Sequence, residues 1–455
     1  MSARAIKPAN ARAVFLEGSI LHHVLRMSAA GAVGLIAIFI VDLLSLIYIS
    51  WLGNASLTAG VGYASQLSFF IISINVGLLI GTGALVSQAI GRGDRSGAER
   101  LAVSCMIHVC AISFMLSMIA LPFARPILAL MGAKGPALDA AVQFSIITLP
   151  STALLAAGMA ATGILRAVGD ARRSMYCTLV AAAIACVLDP LFILVMRWDV
   201  AGAAWATVFA RCGICAAGLW YVRHVHHMLK APQWFAMGRD LRLLLAIAIP
   251  AIVTNLASPV ATTWMLRVFS EFGEQVVAGV AMVDRLIPVA FGLLFAMSGA
   301  VGPIIGQNFG AKNFRRIRET LTSCFKVAVI YVGAVWIMLA VFAPQIARAF
   351  GASGDAADFL IFFCRYGTAA WMCLGCLFAA NAAFNNLGFP LWATAFNWGR
   401  ATLGTIPFVS IGAAWGGPQG GILGMTLGAF VVGVASVFVS YWLVRRLEKA
   451  STKAV

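Results

Sequence analysis

Residues 83–105 read GALVSQAIGRGDRSGAERLAVSC, and residues 302–324 read GPIIGQNFGAKNFRRIRETLTSC, so one sequence pattern recurs 219 positions further on. The same offset pairs Gln88 with Gln307, Cys105 with Cys324, Gly132 with Gly351, Gly169 with Gly388, Gly202 with Gly421 and Thr207 with Thr426. Chance matching in a glycine-rich chain does not explain one constant offset that is held without a gap. The pattern therefore predicts two halves that share one fold.

The composition is that of a protein that crosses a membrane many times. Of 455 residues, 62% are hydrophobic and 11% are charged, whereas soluble domains carry about 25% charged residues. An apolar run of about 20 residues spans the hydrocarbon core of a bilayer. We predict twelve such spans, at residues 28–50, 62–84, 101–121, 138–160, 175–196, 202–222, 243–265, 276–300, 322–343, 358–380, 391–412 and 420–443.

The distribution of basic residues predicts the topology. The net charge of +16 does not indicate a nucleic-acid partner, because the charges fall in short loops between apolar segments and not on one soluble face. Most Lys and Arg residues, from Arg4, Lys7 and Arg12 at the start to Lys453 at the end, lie on one side of the membrane if the N-terminus is inside. By the positive-inside rule, both termini are cytoplasmic. We expect a multi-pass protein of the cell inner (plasma) membrane.

The repeat and the spans together predict an all-α polytopic membrane protein. We expect an N-terminal lobe at residues 1–222, a basic cytoplasmic linker at 223–242, and a C-terminal lobe with a basic tail at 243–455. Since each lobe has an even number of helices, six, the lobes have the same orientation. A pseudo-two-fold axis then runs along the membrane normal, which is typical of secondary transporters. We expect a monomer in the lipid bilayer.

Two aspartates are predicted to lie at bilayer depth in the first half. Asp42 is in the middle of LIAIFIVDLLSLIYISW, residues 35–51, and Asp189 is in the fifth span. A charge in the bilayer centre costs about 3 kcal/mol or more, so such groups usually have a function. The repeat offset maps Asp42 onto Ala261 and Asp189 onto Phe408. Because a structural role would tend to recur in both halves, we interpret this pair as an ion or proton site.

Charged residues of the second half allow two interpretations. Asp284, Arg285 and Arg400 fall within apolar segments. They could form a charge pair between helices, or they could contact a substrate. Asp284 and Arg285 are not expected to pair with each other, because adjacent helical residues point about 100° apart. Met282 and Gln66 are further candidates for substrate contacts, since soft and adaptable surfaces suit varied apolar compounds.

Other features exclude or disfavour several classes of function. Arg211, Arg365 and Arg400 are more simply explained as snorkelling or inter-helix partners than as ligands. The two C-x-x-C pairs, at Cys212 and at Cys373, lie in apolar helices without nearby His or acidic partners, so we expect no metal site. No loop offers a cluster of catalytic groups, and no Walker-type loop is present. We therefore expect neither an enzyme nor an ATP-driven pump, and no cofactor.

Several motifs resemble those of the multidrug and toxic compound extrusion (MATE) transporters. They are VLDPLFIL at 187–194, VAGAAWATV at 200–208, LRAVGD at 165–170, the two Gln-x-x-Gly loops, and the mid-helix Asp42. The resemblance covers residues 20 to 445. It implies two six-helix lobes and export of cationic amphipathic compounds in exchange for protons or sodium.

The resemblance also implies roles for particular residues. In the proton-coupled, DinF-like branch, Asp42, Asp189 and Thr207 would form the cation or proton site. That branch carries an Asn one turn before the second aspartate, where this chain has Ala185. The NorM-like branch carries a Glu near the position of Ser258, so no sodium site is expected in the second lobe. Protons are the expected coupling ion, and sodium remains possible.

Two carboxylates close together in a low-dielectric cavity cannot both ionise cheaply. Protons and an organic cation can then compete for one negative cavity, and that competition gives antiport. The alternative keeps the fold and changes the cargo, to a lipid-linked compound or a metabolite. That alternative expects a more cationic cavity, which the intramembrane arginines could supply.

Overall fold

The computed structural model describes residues 13–50 and 55–453, which fold almost entirely into helices. The basic residues Arg4, Lys7 and Arg12, on which the predicted topology partly rests, lie outside these ranges, as does Trp51. The helices of the first half are α1 (Ile20–Ser50), α2 (Ala55–Gly91), α3 (Arg95–Ala120), α4 (Ala124–Leu130), α5 (Gly135–Thr148), α6 (Thr152–Ala167), α7 (Ala171–Pro190) and α8 (Asp199–Trp220). Those of the second half are α9 (Trp234–Ser270), α10 (Glu274–Gly310), α11 (Phe314–Val341), α12 (Ala343–Ala349), α13 (Gly354–Arg365), α14 (Ala370–Asn386), α15 (Pro390–Gly399) and α16 (Ile406–Lys453).

The predicted repeat is confirmed by the positions of the helix ends. Helices α2 and α10 begin and end at residues that are 219 positions apart, and so do α4 and α12. The caps recur as well. The side chain of Asp94 accepts a hydrogen bond from the backbone N–H of Gly97 at 2.8 Å, and Asn313 accepts one from Arg316 at 3.2 Å. Such N-caps satisfy N–H groups that have no partner within the helix. The same local signals therefore start the third helix of each half.

The predicted number of membrane crossings agrees with the structure. Ten helices within the described ranges are long and apolar enough to span, and a bent pair gives an eleventh. One of the ten, Pro390–Thr452, has 63 residues, whereas about 20 residues suffice for one crossing. It is broken at Gly416 and Gly417, where Gly417 has a φ of 60°. Division at that break gives the twelve crossings.

Two of the predicted spans are wrong in detail, because each is interrupted. The span at 138–160 is two helices, α5 and α6, bent by 55°. Pro150 lies at the break, where its ring removes an N–H donor and disfavours a helical residue before it. The span at 358–380 is interrupted between α13 and α14, and its apolar part begins at Gly367.

Backbone contacts divide the chain into two compact units. The first unit contains Val33–Ile252, and the second contains Phe15–Ala32 and Val253–Val455. The first turns of α1 therefore belong to the second unit, and the first part of α9 belongs to the first unit. The boundaries of the lobes that we predicted, at 1–222 and 243–455, were placed at the loop between helices. That division stays a prediction.

The segment predicted as a linker, 223–242, is part of the first unit and makes specific side-chain contacts within it. His226 Nε2 lies 2.9 Å from Asp170 Oδ2, and Lys230 Nζ lies 2.6 Å from Glu99 Oε2. Helix α9 then starts at Trp234, so the last part of this segment is helical. This part of the chain is thus ordered by specific partners.

Candidate functional site

The structure brings Asp42 and Asp189 together within the first unit. Asp189, near the end of α7, is 3% exposed. The hydroxyl of Ser45 on α1 donates a hydrogen bond to its carboxylate, and the carboxylate of Asp42 is close enough to interact with it electrostatically. Asp42 itself is exposed. One buried and one accessible carboxylate thus share a site at the interface of α1 and α7.

Ser45 is a member of this site that the sequence did not reveal. It lies three residues after Asp42, and residues three apart share one face of a helix. A serine in an apolar helix is common and carries no signal of its own. Only the spacing from Asp42 could have indicated it.

A wide helical turn follows Asp189. Pro190 ends α7, and the next five residues, Leu191–Val195, form a π-helical turn in which the N–H of Met196 donates to Leu191 O at 2.9 Å. Pro190 has no N–H, so the carbonyl one turn before it loses its helical partner. Turns of this type are frequent at functional sites, because they change the direction of side chains.

Thr207 lies on the neighbouring helix, α8, but the described contacts do not join it to either carboxylate. Its hydroxyl donates to Ala203 O at 2.9 Å. Close packing holds α8 against the π-helical turn, since a Cβ on Gly202 would lie 2.8 Å from the backbone of Phe192. Ala185, one turn before Asp189, is buried and offers no polar group. The assembled site therefore consists of the two carboxylates and Ser45.

Gln66 and Arg211 are the other polar candidates in this unit. Gln66 is exposed on α2 and forms no hydrogen bond to the described part of the chain. Arg211 on α8 is buried, and its guanidinium donates to Thr148 O at 2.6 Å and to Ser151 Oγ at 2.8 Å. It thereby bonds both sides of the break between α5 and α6. The predicted role of Arg211 as an inter-helix partner is confirmed.

The second unit carries no carboxylate at the positions that correspond to the aspartate pair. Ala261 and Phe408 occupy them. Asp284 and Arg285 on α10 are exposed, and neither forms an ion pair with any described residue, which does not support the interpretation as a buried charge pair. Met282 is half-buried on the same helix. Arg400 donates to Ser258 Oγ at 3.2 Å and likewise has no carboxylate partner among the described residues.

In residues 13–50 and 55–453, no group of three or more His, Cys, Asp or Glu side chains is placed to hold a metal ion. All ten cysteines are free thiols, and Cys105 and Cys324, which the repeat pairs, are both fully buried. Free cysteines of this kind behave as small apolar residues.

Twelve apolar segments in a repeated fold, with an aspartate pair carried by two of them, are typical of a polytopic membrane transporter. The MatE family model matches the chain twice, at residues 31–191 and 250–410, which are again 219 positions apart. The chain belongs to the MatE family of multidrug and toxic compound extrusion transporters.

Its relatives are transporters and export proteins. The chain is 25% identical to the FAD transporter of Shewanella oneidensis over 429 residues, 93% of this chain and 94% of that one. It is 24% identical to the probable multidrug resistance protein YpnP of Bacillus subtilis, covering 86% of this chain and 88% of the relative. It is 22% identical to the multidrug export protein MepA of Staphylococcus haemolyticus, covering 96% and 97%.

Solved structures show the same fold. An outward-facing MATE transporter of the MOP superfamily superposes with a TM-score of 0.90 at 22% identity, covering 98% of this chain and all of that one. A MOP superfamily transporter from Pyrococcus furiosus superposes with a TM-score of 0.89 at 22% identity, with the same coverage.

Proposed function

We propose that this protein is a secondary antiporter that exports cationic, amphipathic organic compounds in exchange for protons. The observation that carries the proposal is the meeting of Asp42 and Asp189, which occurs in the first unit alone among the described residues. Membership of the family supports transport, and the names of the relatives support multidrug compounds as cargo.

The pair can exchange protons for cations by simple electrostatics. Ionising the buried Asp189 beside a second carboxylate, Asp42, is costly, so a proton or an organic cation is needed to balance one of them. Occupancy by one excludes the other. A ligand shifts a conformational equilibrium only if it binds the two states differently, and exclusive binding provides that difference. Exchange by alternating access follows.

The proposal also covers the location, the oligomeric state, the branch of the family and the coupling ion. The protein would lie in the cell inner membrane with both termini in the cytoplasm, would act as a monomer, and would belong to the DinF-like branch. Thr207 would accept a hydrogen bond from a hydrated ion, because its own proton is already donated to Ala203 O. Protons are preferred over sodium as the coupling ion, because Ala185 offers no polar group beside Asp189.

The test is uptake of ethidium into inside-out membrane vesicles. Wild type is compared with Asp42→Asn, Asp189→Asn and the control Asp139→Asn, whose carboxylate lies at the surface beside Arg125. We expect wild-type and control uptake to be abolished by a proton uncoupler and unchanged without sodium. The two site variants should lose at least about 90% of uptake at equal expression. Full activity of both site variants would contradict the proposal.

A second candidate is export of an anionic metabolite such as a flavin dinucleotide. It is favoured by the likeness to the FAD transporter over nearly the whole of both chains. The exposed Arg285 also suits an anion, and so does Arg400, which has no carboxylate partner among the described residues. In the same vesicles, uptake of FAD without uptake of ethidium would favour this candidate over the first.

A further inference from the structure

The helix pair that holds the aspartates in the first unit has a counterpart in the second. In the first unit, α1 packs on α7, where a Cβ on Gly34 would lie 3.2 Å from Thr178. The offset of 219 carries these helices to α9 and α15. There, Trp398 donates its indole N–H to Val253 O at 2.9 Å, and Thr254 and Thr394 share a hydrogen bond of 3.1 Å. The α1–α7 interface of the first unit therefore corresponds to the α9–α15 interface of the second.

These two corresponding interfaces differ in charge. Where the first unit has Asp42 and Asp189, the second has Ala261 and Phe408. One turn before Ala261 lies Ser258, and its hydroxyl accepts a hydrogen bond from Arg400. The interface thus carries acids in the first unit and a base in the second.

The guanidinium of Arg400 has unused hydrogen-bonding capacity. Of its five N–H donors, the described contacts use one, at 3.2 Å to Ser258 Oγ. The side chain is half-buried, so the other donors can be reached. Arg211 is the useful contrast, because it is buried and bonds both a carbonyl and a hydroxyl of neighbouring helices. Arg211 has a structural role, whereas the described part of the chain gives the Arg400 guanidinium a single hydrogen-bond partner.

The depth of Arg400 makes this arrangement costly without a ligand. It lies ten residues after Pro390, the first residue of α15. At 1.5 Å per residue this is about 15 Å along the helix axis, which puts Arg400 near the middle of the span predicted at 391–412. A charge at that depth usually marks a ligand or ion pathway.

Two further groups at this interface can donate hydrogen bonds. Ser258 accepts from Arg400, and no described hydrogen bond uses its own O–H, so that group can donate to a ligand. One turn earlier on α9, the side-chain N–H₂ of Asn255 is buried without a partner in the described part of the chain. A buried donor of this kind costs free energy unless a ligand or water satisfies it. A guanidinium, a hydroxyl and an amide match the oxygens of a phosphate or carboxylate.

We propose that Arg400, Ser258 and Asn255 form an anion-binding site in the second unit, which takes the phosphate or carboxylate group of an amphipathic compound. The identity of that compound as cargo rests on the proposed export function, but the binding of an anionic group does not. The cargo range then includes compounds that carry an anionic group.

The test is binding to the purified full-length protein in nanodiscs of neutral phosphatidylcholine. The probes are 1-naphthyl phosphate and 1-naphthol, which share one ring system and differ in the phosphate. We expect wild type to bind the phosphate at least about tenfold more tightly. Arg400→Gln should bind the two probes about equally. Arg400→Lys should keep only part of the preference, because lysine is charged but lacks the planar fork of the guanidinium. The control Arg348→Gln removes an exposed charge and should bind as wild type.

A folded Arg400→Gln variant that still prefers the phosphate tenfold would overturn the proposal, and so would a wild type without any preference. If Arg400→Gln does not fold, Ser258→Ala is the test instead. We expect this variant to bind 1-naphthyl phosphate severalfold more weakly, with an unchanged thermal midpoint. Undiminished binding would overturn the site. Nanodiscs with phosphatidylglycerol identify the source of the anion. Weaker probe binding there supports the site with a lipid headgroup as occupant, and unchanged binding supports it with a soluble compound.

The failure of this proposal is distinguishable from failure of the export function. Loss of naphthyl phosphate binding has no bearing on ethidium transport through Asp42 and Asp189. Conversely, vesicles in which Asp42→Asn transports normally would contradict proton-coupled export and leave the anion site intact.

Discussion

At the scale of single residues, the carboxylate of Asp170 shows how local contacts determine the ionisation of a side chain. It lies just before α7, accepts a hydrogen bond from the backbone N–H of Arg173, and pairs with His226. Burial raises the pKa of Asp170, but the hydrogen bonds from His226 and Arg173 outweigh it and lower the pKa to about 2. The carboxylate is therefore ionised at every pH at which the protein works.

Replacement of Asp170 is expected to destabilise the first unit. Asp170→Ala removes an N-cap and a charge pair, and should lower the free energy of unfolding by about 1–2 kcal/mol. Asp170→Asn keeps the cap and should cost less. Because the folded pKa is depressed, the stabilisation is present above the unfolded value of about 4 and is lost as the pH falls toward 2. Thermal midpoints should show a gap at pH 5 that is no smaller than the gap at pH 7, and a gap that closes by pH 5 would contradict this assignment.

The residues of the site were predictable from the sequence to different degrees. Asp42 and Asp189 stand out because carboxylates are rare in apolar helices, and the structure places them together. Ser45 was not predictable, because hydroxyls are tolerated in such helices without a role. That Asp284 has no ion-pair partner among the described residues was not predictable either, since helical periodicity does not say which faces meet.

At the scale of helices, small residues decide how closely two helices approach. A Cβ on Gly77 of α2 would lie 2.4 Å from Ile252 Cγ1 and 2.9 Å from its backbone nitrogen on α9. Gly77→Ala must therefore push the helices apart, and we expect a loss of about 1–3 kcal/mol. Gly83 on the same helix has nothing within 4 Å of its Cβ position. Gly83→Ala should be neutral or stabilising by up to about 1 kcal/mol.

Thermal unfolding of the two variants beside wild type measures this difference. Equal stability of Gly77→Ala and Gly83→Ala would show that α2 and α9 are not in tight contact. Both variants add one methyl group to one helix, so helix propensity cancels in the comparison.

Helix breaks were only partly predictable. A proline such as Pro150 can interrupt a helix, but the sequence could not give the 55° bend or the arginine that bonds across it, since Arg211 comes from a helix 60 residues later. The break at Gly416 and Gly417 needed no such partner, because glycine alone reaches a φ of 60° without strain. Loop sequences near the helix ends were more informative, since Asp94 and Asn313 are recognisable caps.

At the scale of the whole molecule, the repeat was the most reliable signal. The offset of 219 in the sequence returns in the helix ends and in the two matches of the family model. What the sequence could not give is the assignment of helix segments to units. The first turns of α1 group with the second unit and the first part of α9 groups with the first, which depends on packing and not on a pattern.

The central claim is that one carboxylate pair couples proton movement to transport. Its most direct test is proton flux in proteoliposomes that contain a pH-sensitive dye, after addition of ethidium to one side. We expect wild type and Asp139→Asn to produce a cation-dependent pH change that collapses with an uncoupler, and Asp189→Asn and Asp42→Asn to produce none. A pH change of wild-type size in both site variants, at equal reconstituted protein, would contradict the coupling role of the pair.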